Sequence, residues 1–483
     1  MVLPENRDCK SLHNSLEPRV SALKSWAARV LNFREGELPL AVLSAIFYFC
    51  VLCGYYFLRP VRDAMGVARG MDDLRWLFVG TSIVALVVVL GFGGVVSRLD
   101  RRKFIPIGFW FVIACLFIFA GLLVADALAG GGLIGTDTGT VFAIVVGYAF
   151  FMWLTVINLF VNSLFWAFMV DLFNVDQGKR MFAFIGIGGT LGAIVGGWAT
   201  NVMSGLTESI YLSPGLMMIG AGFFAASIWA MLVLDRMALA SAHSRLAEHV
   251  AQHRHSSRPG EKIGGRFLDG VTATAKSPYL VGIALYIFFL AISNTFLYFT
   301  QASIVLDSTD TLSQRIGSFA LLDMLTQVAT LITQIFVTTH LIKRLGVGWT
   351  LTILPLVTAA GFGLLAFWPT FGVFALFNAL HRATRYAISR PARETLYSVV
   401  PAAEKYKAKP LIDVFLYRFG DIAGAGIDGA MRAIGLPLAG VAAATLPFAG
   451  VWIVLSFALG RTQRKLDEES PPLSAEKLQS AQA

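Results

Sequence analysis

Residues 381–432 read HRATRYAISRPARETLYSVV, PAAEKYKAKP and LIDVFLYRFGDIAGAGIDGAMR. The runs on either side are apolar, yet this stretch carries charges where hydropathy predicts membrane-spanning helices, at Arg382, Arg385, Arg418, Asp421 and Asp428. At the centre of a spanning helix each such charge costs about 2.5–3.5 kcal/mol on insertion scales. We therefore expect these side chains to face a polar cavity or one another.

Helical periodicity places the charges on one face of each of two neighbouring helices. The first face holds Arg382, Arg385, Ser389 and Arg393, and the second holds Arg418, Asp421, Ala425, Asp428 and Arg432. Two charged faces in an apolar setting predict a pathway for a solute. The alternative is a set of internal salt bridges that only hold the helices together.

Composition indicates a polytopic membrane protein. The chain is 56% hydrophobic and 14% charged, whereas an average globular chain has about 25% charged residues. Spans need about 20 apolar residues, and twelve segments qualify. They are 38–58, 75–96, 104–126, 140–170, 182–203, 214–235, 278–305, 316–341, 348–368, 371–389, 411–431 and 436–460. The expected fold is an all-α membrane protein with two six-helix bundles.

The net charge of +9 is explained by the positions of Lys and Arg along the chain, so we expect a lipid bilayer and no nucleic acid as a partner. Alternate loops hold 30 of the 39 Lys and Arg, and basic loops stay on the cytoplasmic side. Both termini are then cytoplasmic, in a bacterial inner membrane. The expected regions are an N-terminal segment 1–37 with a surface helix, bundles 38–235 and 278–460, a linker 236–277, and a disordered tail 461–483.

Several motifs favour packing over chemistry. Cys50 and Cys53 have C-x-x-C spacing but lie in an apolar helix without a second ligand pair, so we interpret them as packing residues. The linker histidines are interpreted as part of a solvated helix. Gly188, Gly192 and Gly196 recur every four residues, which lets two membrane helices approach closely. With no Walker loop, metal cluster or catalytic triad in the sequence, we expect no enzyme, metal or cofactor.

Near the end of the first span, Tyr55, Arg59 and Arg62 share a helical face, and Asp63 is placed to pair with Arg59. Guanidinium groups bind phosphate and carboxylate through two parallel hydrogen bonds. This pattern favours an anionic solute. An anchor at the level of the lipid headgroups is the alternative.

Several patches resemble the ATP/ADP translocase family, whose members exchange nucleotides through a twelve-helix fold related to the major facilitators. The patches are Leu58–Asp63 (LRPVRD), Phe165–Phe168 (FWAF), Val175–Arg180 (VDQGKR), Arg385–Glu394 (RYAISRPARE), Lys407–Val414 (KAKPLIDV) and Arg418–Asp421 (RFGD). The family's lysines appear as Arg62, Arg385 and Arg393, which keeps the charge. An aspartate and a lysine of the family appear as Arg390 and Asp421, which reverses it, and no helix-4 glutamate is found near Leu154.

The resemblance implies alternating access by a secondary transporter of a small anionic solute, such as a nucleotide or another phosphorylated or carboxylated metabolite. The expected substrate-binding residues are Arg59, Arg62, Arg382, Arg385 and Arg418. The expected gating or coupling residues are Asp63, Arg393, Glu394, Asp413, Asp421 and Asp428. Spans 1, 4, 7 and 10, with 11 beside them, would line the site of a monomeric carrier.

Two alternatives stay open. A proton-coupled exporter of an amphiphilic compound would need a titrating carboxylate, such as Asp421, and would tolerate loss of the cavity arginines. A membrane sensor or scaffold that transports nothing would tolerate neutral substitutions in the cavity but not loss of the cytoplasmic loops.

Overall fold

The computed structural model of the 483-residue chain describes residues 37–96, 101–130, 140–173, 175–249, 267–401, 404, 408–409 and 411–469. The surface helix expected within 1–37 lies outside the described residues, as do His253 and His255 of the linker. Helices joined by short connections make up the described part, which contains no strand. This agrees with the all-α prediction.

The helices of the first half are α1 (Glu37–Gly66), α2 (Met71–Val96), α3 (Arg101–Leu128), α4 (Val141–Leu172), α5 (Val175–Leu206) and α6 (Leu212–His249). A short α7 (Phe267–Lys276) precedes α8 (Pro278–Asp307), α9 (Leu312–Phe336) and α10 (Thr338–Phe367). Then come α11 (Phe371–Ala383), a first π-helical turn (Thr384–Ser389) and α12 (Arg390–Leu396). The described part ends with a second π-helical turn (Leu411–Leu416), α13 (Tyr417–Ala433), α14 (Leu438–Ala444) and α15 (Leu446–Glu469).

Nine helices in the described ranges are long and apolar enough to cross a membrane. The predicted spans 75–96, 371–389 and 411–431 are also helical but are not among these nine. Two of the three, 371–389 and 411–431, carry the charges that lower their hydropathy. The count of twelve spans therefore stays a prediction.

Three helices extend about eight residues or more past the C-terminal ends that hydropathy suggests. Helix α1 continues through Pro60 to Gly66, so Arg59, Arg62 and Asp63 lie inside it. Helix α6 reaches His249, into the expected linker, and α15 reaches Glu469, into the expected tail. Polar residues lower the hydropathy and so end a predicted span. They do not end the helix itself when their side chains have hydrogen-bonding partners.

The glycine string of α5 packs against α1. A β-carbon added at Gly188, Gly192 or Gly196 would come within 3.0 Å of a main-chain carbonyl oxygen of α1. Because glycine has no β-carbon, the two backbones can approach closely here. Cys50 and Cys53 are free thiols buried in the same helix α1.

The helices form two bundles that face each other. In the first, α1 packs against α4, α5 and α6, and in the second, α8 packs against α13 and α15. The bundles meet where α5 lies against α9 and α2 lies against α13. A cavity lies between them.

Candidate substrate cavity

The cavity between the bundles has a volume of about 680 Å³, within the range of about 300–1,000 Å³ that is common for small-molecule sites. Its walls come from α1, α2, α4, α8, the continuous α11–α12 helix and α13 with its preceding π turn. Helix α2, which contributes Phe78, Thr81 and Ser82, is an addition to the set expected from the sequence.

Asp323 of α9 links the two bundles beside the cavity, because it pairs with an arginine of each. Its carboxylate is 3.0 Å from a terminal nitrogen of Arg59 and 3.2 Å from one of Arg382, and its residue surface is only 1% exposed. Arg382 also donates to the Gln301 side chain at 3.2 Å. Sequence analysis missed Asp323, although the argument from charges inside a span applies to it equally.

Arg62 and Asp63 form a second polar layer. Arg62 donates to Asp63 at 2.5 Å and 3.0 Å and to the Thr155 hydroxyl of α4 at 3.2 Å. The Tyr298 hydroxyl of α8 donates to the same carboxylate at 3.2 Å. Asp63 therefore accepts hydrogen bonds from both bundles, from Arg62 of the first and Tyr298 of the second. Arg59 approaches the same carboxylate only at 3.9 Å.

Arg385 is held in place by neutral groups. It donates to the Asn294 side-chain oxygen at 2.8 Å and to the Tyr417 hydroxyl at 2.7 Å. Its guanidinium carbon lies 5.2 Å from the ring centre of Tyr386 and 5.7 Å from that of Tyr417, within the range of cation–π contacts. A guanidinium fixed in this way keeps its full charge for a ligand.

Arg418 and Asp421 of α13 form an ion pair in the cavity wall. The two side chains approach to 3.0 Å, and the Thr295 hydroxyl of α8 donates to Asp421 at 3.3 Å. Both residues line the cavity. The internal pair leaves little net charge at this part of the wall.

The remaining predicted residues divide between the cavity and its surroundings. Arg393 and Asp413 line the cavity, whereas Glu394 pairs with Lys409 at 2.5 Å and Asp428 pairs with Arg75 of α2 at 2.8 Å. Glu394 and Asp428 are not among the lining residues. The Arg75–Asp428 pair, which the sequence did not predict, links the two bundles.

The first π-helical turn explains how so many residues of one helix reach the cavity. Hydrogen bonds in a π turn run from residue i to i+5, which shifts the register by one residue, and such turns are frequent at functional sites. The lining residues are Arg382 and Arg385 with Tyr386, followed by Ser389, Arg390 and Arg393. The second π turn carries Asp413 into the same space.

The cavity is closed at one end and open at the other. At the closed end, Asn201 of α5 donates to the Gly317 carbonyl oxygen of α9 at 2.9 Å, and Ser313 donates to the Ser204 carbonyl oxygen at 2.6 Å. Exposure increases away from this end. The Arg382 side chain is 11% exposed, Tyr386 is 41% exposed, and Arg390 is exposed.

Sequence comparisons relate this chain to ADP,ATP carriers of bacteria and plants. The sequence model of the TLC ATP/ADP transporter family matches residues 17–371. The chain is 22% identical to ADP,ATP carrier protein 1 of Chlamydia pneumoniae, over 88% of this chain and 89% of the relative. It is 24% identical to the chloroplastic ADP,ATP carrier protein 1 of Arabidopsis thaliana, over 84% of this chain and 70% of the relative.

Solved structures show the same fold. A bacterial homologue of the iron transporter ferroportin in an inward-facing state superposes with a TM-score of 0.60 at 15% identity, covering 87% of this chain and 99% of that one. The nucleoside transporter NupG gives a TM-score of 0.54 at 17% identity, covering 87% and 98%. The fold is that of the major facilitators. This integral membrane protein is a transporter and not an enzyme, and it belongs to the TLC ATP/ADP transporter family.

Proposed function

We propose that this transporter exchanges phosphorylated organic anions, nucleotides first among them, by alternating access. The observation that carries the proposal is a row of arginines in the cavity, Arg385, Arg390 and Arg393, that form no ion pair with any described residue. Guanidinium groups without a carboxylate partner are suited to bind phosphate oxygens.

The overall charge of the cavity supports an anion. Seven arginines line it, and only four aspartates line it or pair with those arginines. Three positive charges are then left for a ligand. The arginines are Arg59, Arg62, Arg382, Arg385, Arg390, Arg393 and Arg418, and the aspartates are Asp63, Asp323, Asp413 and Asp421.

The nucleotide is proposed from the relatives, which are named as ADP,ATP carriers. The family match ends at residue 371, so the arginines of α11, α12 and α13 lie beyond it. The proposal of an anion therefore rests on the cavity itself, and the relatives support the choice among anions.

We assign gating to the ion pairs and the hydrogen bond at the closed end. Asp323 with Arg59 and Arg382, Asp63 with Tyr298, and Arg75 with Asp428 all join the bundles. In the state that is open at this end, these contacts would be broken. Arg393 and Asp413, with Glu394 beside them, lie near the open end, where they could pair when that end closes.

The distribution of basic loops supports the orientation. If the basic side is cytoplasmic, then α1 begins in the cytoplasm and the cavity opens inward. The two termini are also cytoplasmic in this arrangement, and the membrane is the inner membrane of a bacterium. We propose a monomeric carrier.

An amphiphile exporter is the second candidate because Asp421 lies in the cavity wall. Such a protein needs an apolar binding surface and no excess of cations. Seven lining arginines favour the anion.

The proposal is tested by thermal unfolding of the purified protein with ATP, ADP, sugar phosphates, dicarboxylates and phosphate. A ligand that binds only the folded state adds about 2.7 kcal/mol of stability at a hundredfold excess over Kd. We expect nucleotides to raise the unfolding temperature and Arg385→Ala to abolish that rise. The matched control is Arg69→Ala, because the Arg69 side chain is 57% exposed and not among the lining residues. A rise that survives in Arg385→Ala would contradict the assignment.

A further inference from the structure

An exposed aromatic ring lies among the cavity arginines. Tyr386 lines the cavity and is 41% exposed, although the residues on both sides of it in the helix are less exposed. The other lining aromatic side chains with assigned contacts are engaged: Phe78 stacks on Tyr298, Phe151 lies under Arg62, and Tyr417 bonds Arg385. The Tyr386 ring is therefore open to the cavity, where a ligand can reach it.

The charges around this ring suit a ligand that carries both a planar group and an anionic group. Four arginines line the same cavity as Tyr386, namely Arg59, Arg382, Arg385 and Arg390. Arg385 covers one side of the ring at 5.2 Å. A planar group stacked on the exposed part of the ring would have cations within reach for an anionic group on the same molecule.

We propose that the Tyr386 ring is a stacking subsite for a nucleobase, so that the substrate is a nucleotide and not a sugar phosphate or a simple anion. The inference rests on the proposed function, because it assumes that the cavity binds anions. Every base offers a flat π face, and aromatic side chains bind bases through it with little dependence on sequence. The cavity volume of about 680 Å³ lies within the range of ligand sites.

The helix geometry fits such a ligand. Tyr386 and Arg393 are seven residues apart, which is about 10 Å along a helix. Both line the cavity, and Arg390 lies between them in the sequence. A base on Tyr386 and phosphates near Arg390 and Arg393 would extend along one helix.

The test measures the affinities of ADP and pyrophosphate by calorimetry on the full-length purified protein. Tyr386→Leu removes the ring, and Tyr386→Phe keeps the ring but removes the hydroxyl. We expect Tyr386→Leu to weaken ADP binding about tenfold to a hundredfold, the usual effect of losing one stacked base, and to leave pyrophosphate binding unchanged. Tyr386→Phe should bind both ligands like the unmodified protein. Tyr211→Leu, at an exposed tyrosine outside the cavity, is the control.

A second readout does not depend on the leucine variant. In Tyr386→Trp the indole should be quenched by ADP but not by pyrophosphate, beyond the change seen in the unmodified chain. Equal losses for ADP and pyrophosphate in Tyr386→Leu would overturn the subsite, as would a Phe variant as weak as the Leu variant. Binding of pyrophosphate as tight as that of ADP to the unmodified protein would overturn it while leaving the anion site intact. Binding of neither ligand would overturn the proposed function itself.

Discussion

Arg385 depends on Tyr417 for its orientation. The Tyr417 hydroxyl accepts a hydrogen bond from Arg385 at 2.7 Å, and its ring lies under the same guanidinium. We predict that Tyr417→Phe weakens nucleotide binding about three- to tenfold, because one charge-assisted hydrogen bond is lost while the ring contact remains. Calorimetry on the purified variant measures this. An unchanged affinity would show that the hydroxyl does not position Arg385.

Asp323 is the clearest case of a site residue that sequence analysis missed. It stands alone in an apolar span, and its partners Arg59 and Arg382 lie far away in sequence on two other helices. A periodic pattern identifies residues that share a helix face, whereas a pair between helices depends on how the helices pack. The same reason explains why Arg75 was not predicted and why Asp428 was expected in the cavity.

At the scale of the element, α5 offers a test with two neighbouring glycines. A β-carbon at Gly192 would collide with the Phe49 carbonyl oxygen of α1, whereas one at Gly186 meets nothing within 4 Å. We predict that Gly192→Ala lowers the free energy of unfolding by about 1–3 kcal/mol through overpacking. Gly186→Ala should raise it by about 0.4–1 kcal/mol by restricting the unfolded chain. Thermal unfolding in detergent distinguishes them, and equal effects would contradict close packing of α1 and α5.

The length of α1 shows where hydropathy misplaces a helix end. Arg59, Pro60 and Arg62 lower the hydropathy after residue 58, so hydropathy predicts that the span stops there. In the structure the helix continues to Gly66, because Asp63, Asp323 and Thr155 satisfy the two arginines. The π turns were likewise beyond prediction, since no local pattern distinguishes them from an α-helix.

At the scale of the whole molecule, the two bundles are held together at the closed end. Asp428 of α13 pairs with Arg75 of α2 at 2.8 Å, while Asp72 pairs with Arg75 within α2. We predict that Asp428→Ala shifts the protein toward the state that is open at this end, and that Asp72→Ala, the matched control, does not. Spin labels at positions 208 and 310, in a background without native cysteines, report the distance between the bundles. Identical distance distributions for the two variants would contradict a gating role for Asp428.

The fold class could be predicted from composition and hydropathy, because repeated apolar runs of about 20 residues are typical of membrane-spanning helices. The transport function was predictable from the charges within those runs and from their resemblance to the translocases, and the family comparison confirmed that the chain is a transporter. The walls of the cavity could be predicted from the sequence only in part. Helix α2 carries Thr81 and Ser82 into it, and hydroxyl groups in an apolar helix give no signal in sequence that separates a cavity wall from a packed interface.

Exchange in reconstituted vesicles tests the central claim most directly. Liposomes that contain the protein and are loaded with ADP would be given labelled ADP outside, and uptake would be compared between the unmodified protein, Arg385→Ala and Arg69→Ala. We predict uptake that requires internal ADP, no uptake by Arg385→Ala despite normal folding, and normal uptake by Arg69→Ala. No nucleotide uptake by the unmodified protein, or full uptake by Arg385→Ala, would contradict a nucleotide exchanger that binds its substrate through the cavity arginines.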